Sequence, residues 1–143
     1  MSNDRIKHPD LQFAFRLPVQ IRFGDYDTFG HINNNSYTAF FDLGKTDMFN
    51  RLAGRPCVPS ELSVAIVNIN VDFLAPAVVG EPLEVLTAVV GVGERSFTVY
   101  QRIVNPLTAS VKAQATSVLA GFDVATQQGA PLSDKLRALL ESV

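Results

Sequence analysis

Cysteine is almost missing from this chain. Cys57 is the only one in 143 residues, so no disulfide can form within it, and a lone thiol suits a reducing compartment. Histidine is equally scarce: His8 and His31 are the only two, and neither gives Cys57 a recognisable nucleophile context. A zinc centre usually needs more His or Cys than this. No run carries the carboxylate spacing and closing glutamate of a calcium loop, so no metal is expected. Long apolar stretches are absent as well. Nothing is long enough to span a bilayer, and the start, MSNDRIKHPDLQ, lacks the apolar run of a signal peptide, so a cytoplasmic chain with no membrane partner is expected. Clustered positive charge is missing too: 12 basic residues stand against 14 acidic ones, for a net charge of -2. That leaves no electrostatic footprint for nucleic acid. There is no repeat, low-complexity tract or linker. What is present, 47% hydrophobic residues, is enough for one domain over residues 1–143, with a core at about 11–124.

The periodicities divide the chain clearly. From Leu11 to Phe23 the odd positions are apolar and most even ones polar, the period of a half-buried strand, with a break at Pro18. From Tyr37 the period lengthens: Tyr37, Phe40, Phe41, Gly44, Met48 and Leu52 recur at three and four residues, with Asp42, Lys45, Asn50 and Arg51 largely elsewhere. Asn33 to Ser36 can cap this helix, and Gly54 with Pro56 stops it. The remainder reads as strands over Leu62–Phe73, Leu83–Val92, Ser96–Val104 and Ala109–Phe122, with a hairpin turn at Gly93-Glu94-Arg95. A short amphipathic helix follows over Leu132–Leu140. On the second strand Val67, Ile69, Val71 and Phe73 share a face. On the last one Val111, Ala113, Ala115 and Leu119 point inward, with Lys112, Gln114 and Thr116 outward. Four consecutive strands without intervening helices exclude a doubly wound sheet and predict α+β, about five antiparallel strands wrapped around one apolar helix.

Between the first strand and the helix lies FGDYDTFGHINNNSY, Phe23 to Tyr37, the densest polar cluster in the chain. A helix start presents unpaired N–H groups and a partial positive charge, which can hold a developing oxyanion. A carboxylate at Asp25 or Asp27 can face the same point, and together they form the minimum kit for hydrolysing an acyl derivative. Asp, Asn and Gly are also ordinary turn and cap residues, so the pattern alone leaves both readings open.

Phe23-Gly24-Asp25-Tyr26-Asp27, then Gly30-His31-Ile32-Asn33-Asn34 and Tyr37, resembles the hotdog-fold acyl-CoA thioesterases of the 4-hydroxybenzoyl-CoA thioesterase type. Their pattern is a strand, D-x-D-x-x-G-H-(V/I)-N-N, and a central helix. Asp72-Phe73 with Pro76 and Gly80, and Glu94-Arg95-Ser96-Phe97, are similar to later parts of the same family, so the likeness runs from about Val19 to Phe122. The resemblance implies a hotdog fold and hydrolysis of an acyl-CoA, with coenzyme A as part of the substrate and no separate cofactor. It puts the catalytic carboxylate at Asp27, as nucleophile or general base, and the oxyanion donor at the backbone amide of Asn34. Gly30 would let the chain approach the substrate closely. His31 is either auxiliary, hydrogen-bonding the carboxylate or ordering water, or a capping residue beside the helix start, and Asp25 would hold the loop. Asn33 is a helix cap or a substrate contact, and Tyr37 packs in the core or lines the site. For the nucleotide phosphates the hairpin offers Arg95 beside Glu94, with Arg102 or Lys112 as other candidate cations and a carrier protein as the other acyl donor.

The resemblance also implies a homodimer, with tetramers common among relatives. Very apolar strands such as Leu62–Phe73 and Leu83–Val92 would need covering in a monomer. Two other functions remain compatible with the residues. One is a hotdog enoyl-CoA hydratase or dehydratase using Asp27 with His31, and the other is a module that binds an acyl ligand without turnover.

Overall fold

The period-two stretches fold as antiparallel strands, and the period-3.6 stretch lies as a helix across one face of the sheet they form. The computed structural model describes residues 4–57 and 62–143. Its strands are β1 (Phe15–Pro18), β2 (Val64–Phe73), β3 (Glu84–Val92), β4 (Ser96–Val104), β5 (Val111–Asp123) and β6 (Gln128–Gly129). The helices are α1 (Asn34–Ala53) and α2 (Asp134–Glu141). Strand order is β1-β3-β4-β5-β2, with β6 pairing the end of β5. This is the expected α+β hotdog arrangement, with the two-residue β6 added to the five strands foreseen.

Helix α1 starts and stops where its caps dictate. The Asn33 side chain accepts from the Asn35 amide, and Gly54 closes the other end in a left-handed conformation at φ 72°. Tyr37, Phe40, Phe41, Met48 and Phe49 are buried against the sheet, whereas Leu43 is about half exposed. One core cluster joins Ile32, Tyr37, Phe40 and Phe41 to Ala77, Leu83, Val85 and Ile103. The other joins Met48 and Phe49 to Phe97, Val99, Leu119 and the Leu132, Leu136 and Leu140 of the C-terminal segment. Each large side chain so buried stabilises by roughly 1.5–3 kcal/mol.

Several expectations are corrected. Alternating burial persists from Leu11 to Arg22, but the ladder with β3 covers only Phe15–Pro18, and just past it the Val19 amide still donates to Leu83 O at 3.1 Å. Phe23 is 98% exposed rather than inward, since it opens a single 3-10 turn. Lys112 and Gln114 point outward as expected yet are buried. The N-terminal segment lies over the sheet there: the Gln114 amide donates to Arg5 O at 2.7 Å and Arg102 donates to the carbonyls of Lys7 and His8 at 2.8 Å. Lys45 is also buried; its ammonium sits 3.3 Å from Ser117 Oγ and 3.6 Å from Asp42. Burial pushes its pKa down, with Asp42 working against that shift. Val67 falls in a register shift between Ile66 and Asn68 and is 61% exposed. Of the two apolar strands expected to need covering, β3 is interior, between β1 and β4, and only β2 lies at an edge.

Gly44 sets how closely α1 approaches the sheet. A Cβ there would lie 2.6 Å from Val85 Cγ1, 2.8 Å from Gln101 Nε2 and 2.9 Å from Thr87 Oγ1. Gln101 is itself fixed, donating to Phe41 O at 2.8 Å and Thr87 Oγ1 at 3.0 Å. Gly44→Ala should therefore destabilise the fold. The gain of about 1 kcal/mol in helix propensity is outweighed by overpacking of about 1–3 kcal/mol. Urea unfolding checks this, the expected result being a lower midpoint.

Candidate active site

The loop between β1 and α1 is shaped by its own polar residues. Asp25, only 5% exposed, accepts from the Arg22 amide at 2.7 Å through Oδ2 and from the Ser36 hydroxyl at 2.9 Å through Oδ1. Its carbonyl takes the Asn33 amide at 2.8 Å. Asp25 thus staples the loop to the first turn of α1, which is the holding role expected of it.

Asp27 stands two residues on, at the start of a tight turn. Its amide donates to His31 O at 2.8 Å, and the Gly30 amide donates back to Asp27 O at 3.1 Å. Gly30 closes the turn at φ 75°, a left-handed conformation that costs other residues about 1–2 kcal/mol. The carboxylate is oriented within the turn: Oδ1 accepts from the Phe29 amide at 2.8 Å and the His31 amide at 3.2 Å. Among the described residues no protein group donates to Oδ2.

Asp27, His31, Ile32, Asn34, Tyr37, Phe73, Leu74, Ala75 and Pro76 surround a cavity of about 280 Å³. At the helix start the Asn35 amide is taken by the Asn33 side chain and the Ser36 amide by the Asn33 carbonyl. Asn34, ahead of both, has an amide that no carbonyl of the helix can accept. Asp27 and Asn34 thus border one cavity, the first with a carboxylate oxygen and the second with a backbone amide that no described residue bonds. Tyr37 also lines the cavity, but its hydroxyl is itself buried. Burial raises its pKa, outweighing the Ala77 backbone that works the other way. It stays protonated at neutral pH.

The remaining candidates separate. His31 lines the cavity, and it is its backbone amide, not its imidazole, that bonds Asp27. Asn33 caps the helix and Gly30 shapes the turn, and neither lines the cavity. Arg95 is exposed in the β3–β4 turn. Register puts that turn at the far end of the sheet: Phe73 pairs with Ala113 and Ala113 with Ile103, seven residues or roughly 23 Å along β4 from Ser96. Within one chain Arg95 therefore does not meet the cavity. Arg102 and Lys112 are committed elsewhere, to the N-terminal segment and to Glu81 respectively. The far wall, Phe73 to Pro76, was not identified from the sequence as part of the site. Pro76 and Gly80 marked a turn there, but only the strand order brings it beside residue 31.

The family model of the thioesterase-like superfamily matches residues 21–140. The acyl-CoA thioester hydrolase YbgC of Escherichia coli is 28% identical over 93 residues, 64% of this chain and 69% of that protein. The long-chain acyl-CoA thioesterase FadM of Escherichia coli K12 is 25% identical over 126 residues, 87% of this chain and 96% of its own. A thioesterase from Thermus thermophilus, solved with coenzyme A and Zn, superposes with a TM-score of 0.77 at 25% identity, covering 90% of this chain and 98% of that one.

Because Asp25 is buried with both oxygens engaged, Asp25→Ala strands the Arg22 amide and the Ser36 hydroxyl. It should cost about 1–3 kcal/mol, read as a lower urea midpoint. Ser36→Ala, which removes one bond, should cost less.

Proposed function

Because this chain belongs to the thioesterase-like superfamily, we propose that it hydrolyses the thioester of an acyl-CoA to the free acid and coenzyme A. The observation that supports this most is the convergence of Asp27, His31, Asn34 and Tyr37 on one cavity. In this reading the thioester carbonyl accepts from the Asn34 amide, whose strength as a donor grows as negative charge develops on the oxygen. Oδ2 of Asp27 attacks the carbonyl carbon, or removes a proton from the water that does. In the first route the C–S bond breaks to give a mixed anhydride and the thiolate of coenzyme A, and water then cleaves the anhydride. In the second the tetrahedral adduct collapses directly to acid and thiol. The two amides on Oδ1 fix the carboxylate so that the second oxygen faces the guest. The Tyr37 side chain walls the acyl pocket, and the His31 imidazole orders water at the cavity mouth. The hydratase alternative needs an Asp/His pair. The geometry lends it less support, because no imidazole bond to Asp27 is formed among the described residues.

The site is completed, in the same reading, by a second copy in the cytoplasm. Strand β2 has a free edge ten residues long, and Ile66, Val67, Ile69 and Phe73 are 40% or more exposed along it. Such an edge invites pairing. Antiparallel pairing of β2 with its copy about a two-fold axis would also set the Arg95 end of one sheet beside the Asp27 end of the other. That is where a cation for the nucleotide phosphates is wanted.

Thiol release from a panel of short, long and aromatic acyl-CoAs tests the reaction. Asp27→Ala should lower turnover by roughly 10²–10⁴-fold, and full activity in that variant would rule the assignment out. Sedimentation tests the assembly. The wild type should run as a dimer, and Ile69→Arg should shift it towards monomer with loss of activity. A fully active wild-type monomer would contradict the shared site.

A further inference from the structure

The loop that carries Asp27 is braced on its second side by a turn from elsewhere in the chain. Ile32 donates to Ala77 O at 2.9 Å, Val79 donates to Gly30 O at 3.2 Å, and His31 bridges Val78 as an isolated antiparallel pair. The Gly80 amide lies 3.4 Å from the Tyr26 hydroxyl. Residues 74–76 of the same turn form the far wall of the cavity.

What fixes that turn is an ion pair under it. Lys112, 7% exposed on β5, places its ammonium 2.8 Å from Glu81 Oε2 and 3.3 Å from Pro76 O. Its backbone carbonyl takes the amides of Leu74 and Ala75 at 2.8 and 3.2 Å. Glu81 completes the frame, accepting from the Val78 amide at 3.1 Å and from the Asn105 side chain at 3.0 Å. Every residue from 74 to 78 is thereby tied, directly or through one neighbour, to Lys112 or Glu81. With its cation buried, such a pair leaves an uncompensated charge when broken, and that charge pulls the turn towards water.

We infer that Lys112 and Glu81 are positioning residues for the reaction: as a pair they hold the 74–81 turn against His31 and Ile32, and through the His31 amide they aim the Asp27 carboxylate. The inference rests on the thioesterase reading above. Neither side chain lines the cavity, so they act through the backbone of the loop and not on the substrate. Among the described residues, the other titratable side chain facing the pair is Tyr37, whose hydroxyl feels the Glu81 charge. A displacement of Asp27 by about an ångström is enough to cost roughly 10²-fold in rate.

The test is a mutant cycle read by thiol release from an acyl-CoA that the wild type cleaves. Lys112→Met and the isosteric Glu81→Gln should each lower kcat by roughly 10- to 100-fold with KM little changed. Lys112→Arg should restore most of it. In the Asp27→Ala background the same substitutions should have little further effect, because there is no carboxylate left to aim. A loss through partial unfolding would lower both backgrounds by one common factor. Folded Lys112→Met or Glu81→Gln protein with wild-type kcat would overturn the inference, as would an equal fall with and without Asp27. If Lys112→Met fails to fold, Glu81→Gln carries the cycle alone. A fully active Asp27→Ala would instead overturn the thioesterase mechanism, so the two failures are distinct.

Discussion

The buried Asp25 carboxylate is the joint on which the site turns. Taking a carboxylate out of water is costly unless its lone pairs find donors, and here the Arg22 amide and the Ser36 hydroxyl supply them while the Asn33 amide closes on the carbonyl. That requirement leaves the loop one way to enter α1. Asp27 follows two residues later, and the amides of Phe29 and His31 hold one of its oxygens and leave the other without a donor among the described residues. The sequence D-x-D thus divides its labour: the first aspartate is spent on structure and the second is left with a free oxygen at a cavity.

The helix matters for its end more than its length. Gly44 and Gln101 set how near α1 lies to β3 and β4, and the aromatic side chains Tyr37, Phe40 and Phe41 lock its first turns into the core. The Asn34 amide is carried on that packed frame. In the proposed reaction such a fixed donor needs no reorganisation when charge develops before it. The loop and the 74–81 turn are carried on this rigid frame, as binding loops on stable scaffolds generally are.

Much of this was legible in the residues. The helix could be read from the recurrence of Tyr37, Phe41, Met48 and Leu52 with its Asn and Gly caps, and the strands from their alternation. Asp27, His31 and Asn34 do line one cavity, because they lie within eight residues at the entry to α1, where sequence distance and spatial distance nearly coincide. What was not legible is long-range. The wall at Phe73–Pro76 joins residue 31 only through the strand order, some forty positions away. Arg95 was grouped with the site by resemblance, but register puts it at the opposite end of the sheet. Lys112 and Gln114 follow the outward alternation faithfully, and nothing local in β5 shows that another segment covers them. The early strand was overestimated for a similar reason: Leu11 to Arg22 keep their alternation of burial without a partner strand along most of that length.

The central claim is spatial: the Asn34 amide and the free oxygen of Asp27 address the same carbonyl group. A crystal structure of the Asp27→Asn variant with an uncleaved acyl-CoA bound measures it directly. The thioester carbonyl oxygen should lie within about 3 Å of the Asn34 nitrogen, with the residue 27 side chain beside the carbonyl carbon. An acyl-CoA seated with its thioester away from both groups, in the fully assembled protein, would contradict the claim.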